Sequence, residues 1–347
     1  MKKEKKLQPA AVSAPAVTEL REEDFVLLGA RDLETDKNFA SQGFWKGVIT
    51  RFFKKPRAVV GLCVIAFIMI LALLGPLLSG YGYREIVSVY EADGREVVAR
   101  GIRPQIPALG IDGGDKTGHF ADRTFIFGTD DLGRDLWTRT WYGARVSLII
   151  AFVTIIVDMI IGMSYGLVSG WFGGMTDIIM QRIVEIANSI PRLVIVSVLA
   201  IFMPRGMGLV IVALLLTEWI GMSKIARAEM LKIKELEYIL AARTLGASPL
   251  RLIFGDVLPN TVGPVITQMM FSIPTAIFTE AFLSFVGVGI VLPECSVGSL
   301  IEDGFNNITT LPYQIIPPIA VLALLMLGFN FIGDGIREAL APKLRDM

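Results

Sequence analysis

Six stretches of this chain are apolar and each is close to membrane-crossing length: residues 58–80, 146–170, 178–204, 206–222, 261–292 and 315–333. Hydrocarbon offers the backbone no hydrogen-bond partner, so a segment that crosses it must satisfy its own N–H and C=O groups as a helix of about 20 residues. Composition agrees: 53% of the 347 residues are hydrophobic and only 19% are charged, which sets the chain apart from ordinary soluble domains. The expected fold is therefore an all-α membrane protein with six transmembrane helices. The third stretch is impure, since Arg182, Glu185, Pro191 and Arg192 fall in its first half. Its membrane core is expected to begin near Ile190, with the charged start at the interface beside residues 170–177.

Orientation follows from where the basic residues lie. Lys plus Arg equals Asp plus Glu at 33 each, so net charge points to neither nucleic acid nor an acidic substrate. The tail before the first stretch carries 12 Lys and Arg, ending in Arg51, Lys54, Lys55 and Arg57. Six more lie between the fourth and fifth stretches, whereas Arg205 alone lies between the third and fourth. Both termini are thus expected in the cytoplasm and residues 81–145 outside. The 9 basic residues of that long segment weigh little, because long loops escape the rule.

This reading divides the chain into a cytoplasmic tail (1–42), an interfacial amphipathic helix (43–57), a first transmembrane helix (58–80), an extracellular insert (81–145), a five-helix core (146–335) and a cytoplasmic tail (336–347). Prolines 9 and 15 interrupt the start of the first tail, which reads as a solvated segment and not a signal peptide. In the insert, IVSVYEADGREVVA alternates apolar and polar residues about Asp93-Gly94, a β-hairpin signal.

Several chemistries are excluded. His119 is the only histidine, so neither a histidine metal cluster nor a Ser-His-Asp triad can form. Cys63 and Cys295 stand far apart with no zinc spacing, and no metal site is expected. No G-x-x-x-x-G-K-[ST] occurs, so any nucleotide must be bound elsewhere. Two acids within spans, Asp158 and Glu280, are candidate ion sites, because a carboxylate in the membrane is costly and often functional. The simpler reading is a structural role for each, hydrogen-bonded inside the bundle. Gly162, Gly166 and Gly170 recur every four residues and predict a close helix contact, within this chain or against a second subunit.

One segment does not fit a simple bundle. Residues 224–245 are strong helix formers with interleaved charges, as suits a helix lying in water. Gly246, Ser248 and Pro249 follow in the order of a C-terminal glycine, a capping serine and a first-position proline. A second helix is expected from Pro249 to about Val257. Ala241, Ala242 and Leu245 give the first helix a small apolar face, which suits docking into a groove.

Here the chain resembles the membrane subunits of binding-protein-dependent ATP-binding-cassette importers. Their cytoplasmic loop carries Glu-Ala-Ala, then Gly, then a Leu-Pro pair, and Ala241, Ala242, Gly246, Leu258 and Pro259 match at that spacing. Leu240 stands where the family has glutamate, with Glu237 one turn earlier. FGTDDLGRDLWTRTWYGARVSL, TEAFLSFVGVGIVLP and FNFIGDGIREALAPK are similar to the C-type permease of oligopeptide and dipeptide importers. Cys295 and Val297 depart from that pattern.

The resemblance implies a non-catalytic permease subunit in a bacterial cell membrane. Its implied partners are a second permease, two ATPase subunits that bind ATP and Mg, and an extracellular lipid-anchored or periplasmic peptide-binding protein; no nucleic acid is expected. The implied coupling loop is Glu237, Leu240, Ala241, Ala242, Gly246, Leu258 and Pro259, and the implied role of Glu280 is structural. Readings with other cargo (nickel or another small solute), a gradient-driven carrier using Asp158 and Glu280, or a sensor without transport stay open at this stage.

Overall fold

A computed structural model describes residues 44–90, 96–106, 111–112 and 124–340. The chain divides into two units, Met1–Phe44 and Trp45–Met347, and every described residue after Phe44 belongs to the second. The expected tail over 1–42, Asp93-Gly94 and His119 lie outside the described residues.

Helix α1 (Phe44–Phe53) stops short of the expected 57 because Lys55, in extended conformation, caps a new helix, α2 (Pro56–Ser79), with Pro56 in its first turn. Two short antiparallel strand pairs follow: β1 (Ser88–Tyr90) with β2 (Glu96–Val98), and β3 (Gln105–Ile106) with β4 (Ile111–Asp112). Around them Val87, Ala99 and Phe125 form a small buried cluster, with Tyr81 stacked on Phe125 at 5.4 Å.

The second long helix, α3 (Leu136–Phe172), begins ten residues before the expected Val146. Asp135 sets that start, accepting from Thr138 N at 2.9 Å and Thr138 Oγ1 at 2.6 Å. Residues 136–145, expected in the insert, are instead the first turns of a helix of 37 residues, about 55 Å long at 1.5 Å per residue. The third stretch is broken: α4 (Gly174–Ser189) and α5 (Arg192–Phe202) meet at 81°. Pro191 lacks an amide donor and holds Ile190 extended, and together these end α4.

Helices α6 (Met207–Thr217) and α7 (Trp219–Ile233) form one run, so the expected water-lying helix over 224–245 is corrected. Its first half continues the fourth span, and a turn at residues 234–236 separates it from α8 (Glu237–Thr244). The turn lets Ile233 and Ile239 reach the same buried cluster. The second helix also differs: α9 (Pro249–Arg251) passes through a π-helical turn (Leu252–Val257) directly into α10 (Leu258–Phe285). Helix α10 ends seven residues before the expected Leu292, where Gly287 takes φ +79° and closes a glycine cap with Val288 N on Leu283 O at 3.1 Å.

An element the sequence reading lacked is α11 (Val297–Asn306), started by a reciprocal Ser296–Ser299 capping box. A 3₁₀ turn (Pro312–Ile315) leads into α12 (Ile316–Leu340), which takes up the first residues of the expected C-terminal tail. Among the described residues, five helical runs are long and apolar enough to cross a membrane, and the bent pair α4–α5 makes a sixth if it counts as one span.

Helix α3 is the axis of the bundle. Its Ala144, Leu148, Ala151 and Ile155 pack with Ile65 and Ile68 of α2, Ile273 and Ile277 of α10, and Leu325 and Phe329 of α12. The glycine spacing resolves as a contact within the chain, with α7 lying on it. A Cβ at Gly162 would sit 2.5 Å from the Trp219 carbonyl oxygen, and one at Gly170 would sit 2.8 Å from Met230 Cβ. Gly166 faces the Ser223 carbonyl and Ala226. Gly166→Leu is expected to force the two helices apart and cost about 1–3 kcal/mol or more, read as a lower thermal midpoint of the purified protein in detergent.

The FGTDDLGRD motif folds as a buried knot at the start of α3. Asp130 accepts from Leu132 N (3.0 Å), Arg134 N (2.8 Å) and Arg134 Nε (2.6 Å), and it lies 3.5 Å from Arg139 Nε. Arg139 is fully buried; it also lies 3.5 Å from Asp303 on α11 and donates to Tyr83 O at 3.3 Å. The insert is thereby tied to the bundle.

A second tie is Glu294, which pairs with Arg84 and accepts from Tyr142 Oη at 3.0 Å and Tyr83 Oη at 3.2 Å. Burial pushes its carboxyl up, but the bonds from Arg84 and Tyr142 outweigh this and hold it below the ordinary carboxylate range. A carboxyl lowered in the folded state contributes stability above its unfolded pKa and loses it as pH falls through the folded value. Acidification below about pH 4 is therefore expected to loosen residues 81–90, seen as faster amide exchange there, and Glu294→Gln should remove that pH dependence.

Candidate functional site

The segment around Gly246 is a compact helix pair at the end of the bundle. Helix α8 ends in a glycine cap: Gly246, at φ +87°, donates to Arg243 O at 3.0 Å, and Ala247 donates to Ala242 O at 3.1 Å. Only glycine enters that left-handed conformation without strain. Ser248 then caps the next turn by accepting from Arg251 N, with Pro249 in first position.

The pair is anchored from beneath. Ile239 of α8 and Ile253 and Val257 of the π-turn are buried with Leu167 of α3 and Ala226, Met230 and Ile233 of α7. Lys234 donates to Gly170 O at 2.8 Å, and Arg227 holds Asp177 of α4 through two bonds of 2.6 Å. Asn260 reaches Tyr238 Oη at 3.3 Å and Asp256 O at 2.6 Å, joining the start of α10 to α8.

The opposite face is open. Leu240 (48% exposed) and Leu245 (89%) point outward, and Leu250 and Phe254 continue that apolar surface past the bend. Glu237 and Ala241 are exposed on α8, and Ala242 is half-buried. Glu237 forms no ion pair among the described residues. Leu258 packs against the buried cluster and Pro259 is exposed at the start of α10. The residues singled out from sequence are thus one neighbourhood: an outward apolar face, an acid at its edge and a glycine bend.

The two membrane acids are not part of it. Glu280 is fully buried, accepting from Ser147 Oγ of α3 at 2.6 Å and Ser284 Oγ at 2.9 Å. Ser147 also accepts from Val297 N at 3.3 Å, so this carboxylate joins α3, α10 and α11. That arrangement favours the structural reading of Glu280.

Asp158 is buried at 2% exposure, and its Oδ1 has no hydrogen-bond partner among the described residues. It is not a lone acid, however. Its Oδ1 and the carbonyl of Trp219, the residue after Glu218, both crowd the space beside Gly162, and Arg192 at the start of α5 pairs with Glu218 at 2.7 Å and donates to Thr279 of α10 at 3.1 Å. The sequence reading passed over Glu218, although an acid in LLLTEWIG was as visible as Asp158. A charged side chain at the bilayer centre costs about 2.5–3.5 kcal/mol on insertion scales, so this trio is a second candidate site.

Comparison with known proteins gives a consistent answer. Residues 162–346 match the family model of the binding-protein-dependent transport system inner membrane component, and residues 43–92 match the N-terminal TM domain of oligopeptide transport permease C. The chain is 38% identical to the oligopeptide transport system permease protein OppC of Bacillus subtilis (strain 168), covering 88% of this chain and 92% of that protein. It is also 38% identical to the dipeptide transport system permease protein DppC of the same organism, covering 93% and 94%. The oligopeptide permease OppC of Escherichia coli (strain K12) is 32% identical, covering 92% and 100%. A chain of the MetNI methionine ABC transporter, solved in inward-facing conformations, shares the fold with TM-score 0.50 at 20% identity, covering 59% of this chain and 97% of that one. The chain belongs to the family of binding-protein-dependent transport system inner membrane components, as a multi-pass permease subunit.

Proposed function

We propose that this chain is one of two permease subunits lining the path of an ATP-driven peptide importer in a bacterial cell membrane. ATP and Mg are bound by partner ATPases and the peptide is delivered by an external binding protein. The names of its relatives, oligopeptide and dipeptide permeases alike, support peptides as the cargo. In this reading six spans place both termini and the α8–α9 helix pair in the cytoplasm, and the insert with its strand pairs outside.

The observation that carries the mechanism is the open apolar face on α8 and the π-turn, set on a buried anchor. Leu240, Leu245, Leu250 and Phe254 form the joint into a groove on an ATPase. Leu240 supplies apolar contact where relatives are expected to use a carboxylate, and Glu237, one turn earlier and without an ion pair among the described residues, supplies the charge. Closure of the ATPases on ATP draws the helix pairs of the two permeases together. Because α9 runs through the π-turn into α10, movement of the joint is delivered to the membrane helix that holds Thr279 and Glu280.

Purification of the chain with its co-purifying subunits tests the reading. A second permease, two ATPases and a peptide-loaded binding protein are the expected result. Uptake that persists with the ATPases inactivated would overturn it in favour of a gradient-driven carrier.

A further inference from the structure

The Arg192 pair lies where a charge is hardest to place. Glu218 sits near the midpoint of the 27-residue run Met207–Ile233, so its partner Arg192, at the break between α4 and α5, lies about midway along that run and not at its end. Glu218 is sheltered, with 8% of its side chain exposed, but 44% of the Arg192 side chain is open. An open guanidinium at that depth cannot face lipid without large cost, and instead marks a water-filled path or a protein contact.

The surroundings favour a path for a ligand. Among the described residues, Arg192 meets Glu218 and Thr279 through Nη1, while a guanidinium carries five donors in a fixed fork suited to a carboxylate. Ile190 and Val194 flank Arg192 on its own segment, and Phe278 and Phe282 flank Thr279 on α10; all four are exposed. One open guanidinium among exposed apolar side chains, with its acidic partner Glu218 sheltered, fits a ligand with a constant anionic end and a variable body. Three separate runs (α5, the α6–α7 junction and α10) converge here, so a group bound at Arg192 reports to the helix that joins the Gly246 bend.

We propose that Arg192 contacts the C-terminal carboxylate of the peptide as it crosses mid-membrane. Glu218 is a positioning residue that holds the guanidinium when the path is empty. The proposal rests on the importer reading and adds a residue to its path.

The test uses the full complex in liposomes with ATP inside, following uptake of di- to pentaalanine peptides and of the same peptides as C-terminal amides. Arg192→Gln is expected to lower uptake of the free-carboxylate peptides about tenfold or more, the worth of one charge-assisted contact, with the amides nearly unaffected. Arg192→Lys, which keeps charge but loses the fork, should fall between. Equal losses for acids and amides, or no loss, overturn the assignment of Arg192 and leave the importer reading standing. A wild-type complex that imports none of the peptides with ATP overturns both.

Discussion

Gly246→Pro in the assembled complex is expected to abolish ATP-driven uptake while the ATPases still hydrolyse ATP. Gly246 holds φ +87°, which the proline ring forbids, and its N–H bonds Arg243 O at 3.0 Å, a donor that proline lacks. The cap must open, at about 3 kcal/mol or more, and the angle between α8 and α9 changes with it. Gly246→Ala provides the control. No atom lies within 4 Å of the added Cβ, so the only penalty is the left-handed backbone, about 1–2 kcal/mol, and uptake should be reduced but present. A charge at half-buried Ala242, as Ala242→Glu, is expected to uncouple hydrolysis from uptake in the same way. Normal peptide uptake by the proline variant would remove the helix pair from the coupling mechanism.

The largest loss of stability is expected from Asp130→Ala. Asp130 is 2% exposed and serves two backbone amides and the side chains of Arg134 and Arg139, both buried. Its removal leaves two guanidinium groups inside with little compensation, and breaking a buried pair in this way costs about 3–5 kcal/mol. The chain should lose thermal stability in detergent and accumulate poorly in the membrane. Asp303→Ala is expected to do less, because that side chain is 31% exposed and water can take its place. If Asp130→Ala matched the wild type, the knot could not be what ties the insert to α3.

Much of the bundle was legible because hydrocarbon imposes one rule on every residue that enters it. Runs such as 58–80 and 315–333 located their helices, with starts within two residues of Pro56 and Ile316, since nothing but helix satisfies the backbone there. Local chemistry was legible for the same kind of reason. The order Gly246, Ser248, Pro249 states a cap and a restart in residues whose backbone preferences are intrinsic. Errors arose where polar residues are helical for tertiary reasons. Residues 136–145 carry two arginines and read as the end of the extracellular insert, yet they are the start of α3 because Asp135 caps them and Asp130 and Asp303 receive Arg139. Residues 224–233 read as a water-lying helix, yet Ala226 and Met230 are buried against α3, where Gly166 and Gly170 admit α7 closely.

The amino-acid order by itself determined the membrane class, the span count to within the bent pair, and the position of the glycine bend. Each follows from a preference that a residue or a short run carries wherever it is placed. Only the tertiary structure decided that the Gly162, Gly166 and Gly170 seam is internal, that Glu280 joins three helices through Ser147, and that Arg192, Glu218 and Thr279 meet from separate segments. Those outcomes depend on which helices become neighbours. That choice is made by the shapes of whole packed faces, which no single window of sequence contains.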